Sequence, residues 1–332
     1  MTLATGVGSL PGTDPAEAVR VVVGELPDLP HLPELPDRGP TASMTGRALG
    51  LVAELGADLQ PAGWRLTGGS AGGDQRRARS LLAQDLDMLE EALQDYTGHL
   101  KVQVTGPWTL AATVERPRGD KILADHGARR DLAQALAEGV RVHVADVRRR
   151  VPGAGRLLLQ VDEPALGAVL AARVPTASGF GRHRSVDKPE VSDQLGWVLA
   201  AASESGAEPW VHSCAPGTPL DLLRGAGARG LFVDLAVLSD ADHDHLGEAL
   251  DAGDGVALGV VPSVQPDGGP DAAQNDRALT DRVLGWLDQL GLDPEVVGQR
   301  LLVTPSCGLA GASPAWARRA MELCREVARH LS

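Results

Sequence analysis

Short apolar runs alternate with amphipathic stretches along the whole chain. Eight of the runs are rich in Leu and β-branched residues and show little alternation between apolar and polar positions. That pattern is typical of parallel strands that are buried on both faces. It predicts strands over residues 5–10, 30–35, 101–105, 156–161, 208–212, 231–235, 256–260 and 301–304.

The stretches between these runs carry the periodicity of helices that cover a sheet. They span residues 14–26, 80–96, 128–150, 192–205, 276–290 and 314–331. Asp14 and Ser313 are predicted N-caps, and Pro15 and Pro314 suit the first helical turn. Eight strands joined by helical crossovers predict an α/β fold, a single (β/α)8 TIM barrel over residues 1–332.

Two regions depart from a regular strand–helix alternation. Residues 36–100 are longer than one crossover needs, which predicts an elaborated insertion after the second strand. Within it, residues 58–67 suit a hairpin around Pro-Ala-Gly, and residues 68–74 a Gly-rich loop. Residues 173–189 predict a second long loop, after the fourth strand, that is a candidate lid over a site.

Composition narrows the partners and the compartment. The net charge of −13 argues against nucleic acid and against an anionic membrane surface. The longest apolar runs are too short to span a bilayer, and the N-terminus has no secretory pattern, so we expect a cytoplasmic protein. Three cysteines form no disulfide framework, which leaves thiolate chemistry or metal binding.

Chemically versatile residues follow several predicted strands. In a barrel the carboxyl ends of all strands meet at one mouth, so His212, Cys214 and Cys307 are predicted to converge there. Thiolates together with an imidazole favour zinc. The fourth ligand would be Asp234 or a thiol substrate; the simpler alternative is two buried structural cysteines beside a hydrogen-bonded histidine.

Carboxylates also follow the strands. Asp162 and Glu163 are adjacent in a strand and so point to opposite sides, which suits general-base work or recognition of an ammonium for one and loop capping for the other. Glu34 could instead pair with the neighbouring Asp37-Arg38 segment as a solvated loop ion pair. Ser9 could bind a carboxylate or shape its turn.

Taken in order, these strand ends resemble the catalytic barrel of cobalamin-independent methionine synthase. The matching segments are Gly8-Ser9-Leu10-Pro11, Glu34, Gly106-Pro107, Val161-Asp162-Glu163-Pro164-Ala165-Leu166, His212-Ser213-Cys214, Asp234 and Pro305-Ser306-Cys307-Gly308-Leu309. The resemblance implies zinc-dependent transfer of a methyl group to the thiol of homocysteine. It implies zinc ligation by His212, Cys214 and Cys307, with Asp234 where the family has Glu. It also implies that Ser9, Glu34 and Asp162 hold the amino-acid end of homocysteine.

The departures from the family concern the methyl donor. The family's second, N-terminal barrel has no counterpart in this chain, Thr113 stands where its pterin-stacking tryptophan would align, and no His lies between His245 and His330 to match its catalytic loop histidine. These features suggest a short "core" enzyme whose donor is a corrinoid protein or methyltetrahydrofolate. The alternatives are a corrinoid-linked methyltransferase acting on another thiol and a non-catalytic zinc-binding barrel.

Overall fold

A computed structural model describes residues 1–266 and 275–332 as an α/β fold. Its strands are β1 (Leu3–Ala4), β2 (Ala57–Gln60), β3 (Gly63–Leu66), β4 (Leu100–Thr105), β5 (Leu157–Asp162), β6 (Glu208–His212), β7 (Gly230–Asp234), β8 (Gly255–Val261) and β9 (Leu301–Pro305). Seven of them form a parallel sheet in the order β1-β9-β8-β7-β6-β5-β4. The strands β4 to β9 confirm six of the eight predicted runs to within one residue at each end.

The other two predicted strands are wrong as regular elements. β1 stops at Ala4, and residues 30–35 make only isolated bridges, Ser9 with Glu34 and His31 with Lys101. The segment 30–36 contains a proline at every third position, and proline cannot donate a ladder hydrogen bond. These bridges still connect the two edge strands of the sheet, because one reaches β4 and the other reaches the chain just after β1.

The helices are α1 (Pro15–Glu25), α2 (Met44–Leu51), α3 (Gly73–Ala92), α4 (Pro107–Thr113), α5 (His126–Arg150), α6 (Leu166–Leu170), α7 (Lys188–Glu204), α8 (Leu220–Gly225), α9 (Asp240–Asp251), α10 (Asp276–Gln289), α11 (Pro294–Val297) and α12 (Pro314–His330). The two predicted N-caps are confirmed: Asp14 accepts from the backbone of α1 and Ser313 from that of α12. None of the helices in the described part of the chain has the length and apolar character needed to cross a bilayer.

The region between the second predicted strand and β4 contains the predicted hairpin. β2 and β3 pair antiparallel, with Gln60 opposite Gly63. The helix α3 begins at Gly73, seven residues before the predicted helix at 80, so the predicted Gly-rich loop is shorter than expected. Its early start is explained by Asp58, whose side chain accepts from the backbone N–H of Asp74 in the first turn.

The interior enclosed by the sheet has an apolar floor. This floor consists of Leu29, Leu158, Trp210, Phe232, Ala257 and Leu302. Trp210 and Phe232 pack edge to face with ring centroids 5.3 Å apart. The glycines at 230 and 255 make room for the indole, since a Cβ on either would lie within 2.3 Å of its ring atoms. Towards the carboxyl ends of the strands the interior becomes polar, and the candidate site lies there.

Candidate metal centre

His212, Cys214 and Cys307 converge at the carboxyl end of the sheet. His212 is the last residue of β6, Cys214 follows two residues later, and Cys307 follows β9. One ligand atom of each lies within 4.8 Å of the others, and the two sulfurs are 2.6 Å apart. The predicted convergence of these three side chains is therefore observed, although the cysteines are 93 residues apart in the chain.

The orientation of His212 suits a metal ligand. Asp162 and His212 stand opposite each other in the register of β5 and β6, and Nδ1 of His212 lies 2.7 Å from Oδ1 of Asp162. The other ring nitrogen, Nε2, is buried and has no hydrogen-bond partner among the described residues. A carboxylate on one ring nitrogen and an unpartnered second nitrogen facing two thiols is the arrangement of metal-binding histidines. The residues present therefore fit a zinc ion.

The electrostatics favour the ionised forms of His212 and Cys307 and the neutral thiol of Cys214. Burial lowers the pKa of His212, but the hydrogen bond to Asp162 and the neighbouring Cys307 outweigh it and raise that pKa to about 9. The thiol of Cys214 holds the pKa of Cys307 well below its usual value, and the contact with His212 acts in the same direction. The interaction with ionised Cys307 raises the pKa of Cys214. One thiolate thus forms readily beside a positively charged imidazole.

Asp234 occupies a different position from the three converging side chains. It ends β7, and its Oδ1 accepts from the backbone N–H of Ala236, 2.9 Å away, as the cap of a short 3-10 helix. The cluster of side chains within 4.8 Å of one another contains His212, Cys214 and Cys307 but not Asp234. Burial raises the pKa of Asp234, and the charge of Cys307 adds to that rise. The predicted fourth ligand is thus near the cysteines and turned towards its own loop.

The adjacent carboxylates Asp162 and Glu163 face opposite ways. Asp162 lines the cavity above the cysteines. Glu163 is fully buried and accepts hydrogen bonds from the backbone N–H groups of Trp108 and Thr109 and from the Thr109 hydroxyl. Burial raises the pKa of Glu163 to about 7 although these bonds oppose the rise. Glu163, predicted to be catalytic, lies where it braces the first turn of α4.

A cavity of about 470 Å³ opens above the cysteines. Its lining includes every predicted substrate-binding side chain together with the three convergent ones; the full set is Val7, Gly8, Ser9, Glu34, Pro36, Ser43, Met44, Gln103, Asp162, Pro164, His212, Cys214, Cys307 and Gly308. The volume is that of a small-molecule site. Gly308 packs against Ser9. A Cβ at position 308 would lie 2.2 Å from the Ser9 Oγ, so the close approach requires glycine there.

Glu34 is held by an ion pair that comes from the region after residue 36. Nε of Arg47, in α2, lies 3.1 Å from Oε1 of Glu34, and the same guanidinium contacts Asp85 in α3, which also binds Arg38 at 2.7 Å. The suggested pairing of Glu34 with the Asp37-Arg38 segment is therefore wrong, since Glu34 is only 7% exposed and faces α2. Burial raises the pKa of Glu34, against the opposing charge of Arg47.

Three further polar side chains were not identified from the sequence. Lys101, Gln103 and Gln160 interrupt apolar strands β4 and β5 and are nearly inaccessible to solvent. The signal was present, since Lys and Gln in otherwise apolar buried strands need polar partners. The polar layer below the mouth lies inside the strands, whereas the sequence pattern that predicts the site is confined to the strand ends.

The predicted lid, residues 173–189, is held by a bridge within its own chain and by contacts with Asp120. Its chain bridges Pro175 to Arg182, and the Asp120 carboxylate accepts from Ala177 N–H and lies 3.2 Å from Nε2 of His183. Phe180 at the tip is 100% exposed. The loop ends at residue 187, two residues before its predicted end at 189, because α7 begins at Lys188.

The positions at which the chain departs from the resembled family are also visible. Trp108, the tryptophan nearest to Thr113 in the chain, is fully buried and donates its indole N–H to the Val191 carbonyl, so it does not line the cavity. Thr113 is at the end of α4 and donates to the Thr109 carbonyl. The loop after β8, where the family has a histidine, includes residues 267–274, which lie outside the described residues.

Comparisons with known proteins give one family match and several likenesses of fold. A family model described as "Cobalamin-independent synthase, Catalytic domain" matches residues 91–330. A B12-independent methionine synthase from Shewanella sp. W3-18-1, solved in complex with selenomethionine, is 15% identical with a TM-score of 0.66, covering 100% of this chain and 98% of that one. At that identity the likeness is one of fold.

Weaker structural likenesses follow. An engineered protein is 15% identical with a TM-score of 0.48, covering 99% of this chain and 70% of that chain. A GH20 module of a pneumococcal exo-beta-D-N-acetylglucosaminidase is 8% identical with a TM-score of 0.44, covering 99% and 84%. No sequence among curated proteins matches the chain.

Proposed function

Because the chain belongs to the family of cobalamin-independent synthase catalytic domains, we propose that it is a zinc-dependent methyltransferase that methylates the thiol of homocysteine to give methionine. The observation that carries this proposal is the pairing of Asp162 with His212, which leaves a buried, unpartnered Nε2 beside Cys214 and Cys307. A pair of structural cysteines beside a satisfied histidine would have no need of that free nitrogen.

In this proposal His212, Cys214 and Cys307 hold the zinc ion, and the fourth position belongs to Asp234 or to the substrate thiol. When bound, the ion would keep a substrate thiol ionised near neutral pH. Asp162 fixes the His212 ring and its protonated nitrogen, which raises the basicity of the ligating nitrogen. The apolar part of the cavity wall limits the access of water.

We assign the amino-acid end of the substrate to Ser9, Glu34 and Asp162. All three line the cavity that contains the cysteines. The two carboxylates suit an ammonium group, and the Ser9 hydroxyl can donate to a carboxylate. Arg47 holds the Glu34 side chain in place through its ion pair. Glu163 has no substrate contact in this proposal and acts by bracing α4.

A second candidate is methylation of another thiol. Arg47 already compensates the charge of Glu34, so less of that charge remains for an ammonium group than in an unpaired carboxylate. A thiol that lacks an ammonium would not need Glu34 at all. Homocysteine and a simple thiol such as 2-mercaptoethanesulfonate therefore distinguish the two candidates, because only homocysteine methylation should fall in Glu34→Gln.

The methyl donor in our proposal is a corrinoid protein or methyltetrahydrofolate. Neither Trp108 nor Thr113 offers a stacking surface in the cavity, which supports the corrinoid alternative. We further propose that residues 30–35 complete an eight-stranded barrel through their bridges to both edges, that residues 36–100 are an insertion in it, and that the protein acts in the cytoplasm.

The test is the metal content of the purified protein, followed by zinc-edge X-ray absorption with and without homocysteine. We expect about one zinc per chain and one additional sulfur ligand after homocysteine is added. Cys324→Ala is the control, because this thiol is buried in α12 away from the cluster. The proposal would be contradicted by a protein that takes up no zinc, or by a number of sulfur ligands on zinc that does not change when homocysteine is added.

A further inference from the structure

A lysine is buried inside the sheet, between the apolar floor and the candidate metal centre. Lys101 is 0% exposed, and its Nζ lies 5.4 Å from the centroid of the Phe232 ring. Burying an ammonium group is strongly unfavourable unless it is fully hydrogen-bonded. Its Nζ meets three oxygens: Val7 O at 2.9 Å, Gln160 Oε1 at 2.9 Å and Gln103 Oε1 at 3.3 Å. The site proposed above does not use this lysine, so its presence needs another reason.

The partners of Gln160 fix the direction of its amide group. A backbone carbonyl and a carboxylate can only accept, so the amide nitrogen of Gln160 faces Val7 and Asp162. The Gln160 oxygen therefore faces Lys101, while its Nε2 donates to Val7 O at 2.9 Å and to Asp162 Oδ1 at 2.7 Å. The reversed amide would place its oxygen against two acceptors, the Val7 carbonyl and the Asp162 carboxylate. Gln160 consequently has one orientation, although amides are often ambiguous.

The Asp162 carboxylate connects the oriented Gln160 amide to the candidate metal ligand His212. Asp162 Oδ1 accepts from Gln160 Nε2 and is also 2.7 Å from His212 Nδ1. With its rotamer held from below, Asp162 accepts the Nδ1 proton of His212 and leaves Nε2 directed at the cysteines. Three successive hydrogen bonds thus lead from Lys101 to the imidazole, all between buried side chains.

We propose that Gln160, anchored by Lys101 and the Val7 carbonyl, is a positioning residue that holds Asp162 as the acceptor for His212 and thereby prepares Nε2 to bind the metal. This rests on the zinc site of the proposed function. Gln160 would then contribute to the affinity for zinc although it contacts neither the metal nor the substrate.

The experiment measures the zinc dissociation constant by chelator competition in Gln160→Met and Gln160→Glu. The Met variant keeps most of the volume and loses both hydrogen-bonding groups; the Glu variant keeps the shape and replaces the donor with an acceptor that opposes Asp162. We expect each to weaken zinc binding by about tenfold, the lower end for partners of metal-bound histidines. The visible spectrum of the cobalt-substituted variants should change as well, because the histidine ligand is reoriented.

Two further variants separate positioning from general packing. Lys101→Met removes the anchor and leaves Gln160 its two acceptors, so we expect a smaller loss of about threefold. Leu302→Met is the matched control, a volume-conserving change in the apolar floor that should leave zinc affinity unchanged. Circular dichroism and the unfolding midpoint establish which variants are folded, and any folded Gln160 variant decides the question.

The outcomes keep the two proposals apart. If the wild-type protein binds no zinc, the proposed function fails. If the wild-type protein binds zinc and a folded Gln160 variant binds it equally well with the same cobalt spectrum, only the positioning role of Gln160 fails. If Leu302→Met weakens zinc binding as much as Gln160→Met, the effect is one of packing and the inference is overturned.

Discussion

The floor of the sheet interior and the layer above it are built from the same strands but from different chemistry. β5 contributes Leu158 to the floor and, in steps of two residues, Gln160 and Asp162 above it; β6 contributes Trp210 and then His212. Side chains two residues apart in a strand point to the same side. Two residues along a strand therefore separate a side chain of the apolar floor from one of the candidate site. The two layers should respond differently to substitution.

The largest effect is expected at the metal centre. Cys307→Ser should reduce retained zinc from about one per chain to almost none, with loss of methyl transfer, because a serine hydroxyl is a poor zinc ligand at neutral pH. Metal analysis after dialysis measures this, and Cys324→Ala serves as the thiol control. The variant should remain folded, since Cys307 is half-buried at the rim of the cavity; retention of a full zinc equivalent would remove Cys307 from the site.

A substitution in the apolar floor should lower stability and leave zinc binding intact. Trp210→Ala should lower the free energy of unfolding by about 3–5 kcal/mol, as large-to-small changes in cores do, because it empties the space against Phe232. Denaturant unfolding measures the change. Trp197→Ala, at a position 36% exposed, is the matched control and should shift stability by less than about 1 kcal/mol. A Trp210→Ala protein that loses zinc while still folded would show that the two layers are not separable.

The paired carboxylates at the end of β5 sharpen the contrast. Asp162→Asn should weaken zinc binding by about tenfold and weaken homocysteine binding too, because an amide accepts less strongly from His212 and does not attract an ammonium. Glu163→Gln should leave zinc affinity nearly unchanged and act on the stability of α4. Chelator competition and calorimetric titration compare the two. Equal effects from both variants would contradict the assignment of Asp162 to the site.

The smallest effect concerns the pH dependence of stability. Burial lowers the pKa of Lys101 to about 7, against the charges of Asp162 and Glu34. In the unfolded chain this lysine keeps its proton up to its ordinary pKa, so the unfolded state binds more protons above pH 7. Stability contributed through Lys101 therefore rises with pH, by about 1 kcal/mol between pH 7 and pH 8.

Denaturant unfolding at these two pH values tests that sign. Lys101→Met should flatten the difference between pH 7 and pH 8 relative to the wild-type protein. Lys188→Met, an exposed position at the start of α7, should not change it. A wild-type protein that loses stability over this interval, with Lys101→Met unchanged, would contradict a buried lysine that titrates near pH 7.

The sequence predicted the ends of the strands better than what lies between them. His212, Cys214 and Cys307 could be brought together because parallel strands end at one edge, whatever their spacing in the chain. The predicted strand at 30–35 was wrong as a regular element because the prolines from 30 to 36 interrupt the ladder while the apolar pattern persists. The ion pair of Glu34 with Arg47 could not be predicted, since it depends on how the region after residue 36 folds back onto the mouth.

The partner of Asp162 required knowledge of register. Two adjacent strands place Asp162 opposite His212, and a shift of one residue would turn one of the two side chains away. Sequence patterns locate a strand to within a residue or two, which is not accurate enough to pair side chains across it. For the same reason the sequence left open which of Asp162 and Glu163 faces the mouth.

The order of strands in the sheet gives the candidate metal centre a mechanical role. β6 and β9 are separated by β7 and β8, and their cysteines are separated by 93 residues of chain. An ion held by both would act as a cross-link across the sheet, closing a large loop that only the folded chain can close. Its binding energy would then count as folding energy, and the melting temperature of the protein should rise with the free zinc concentration.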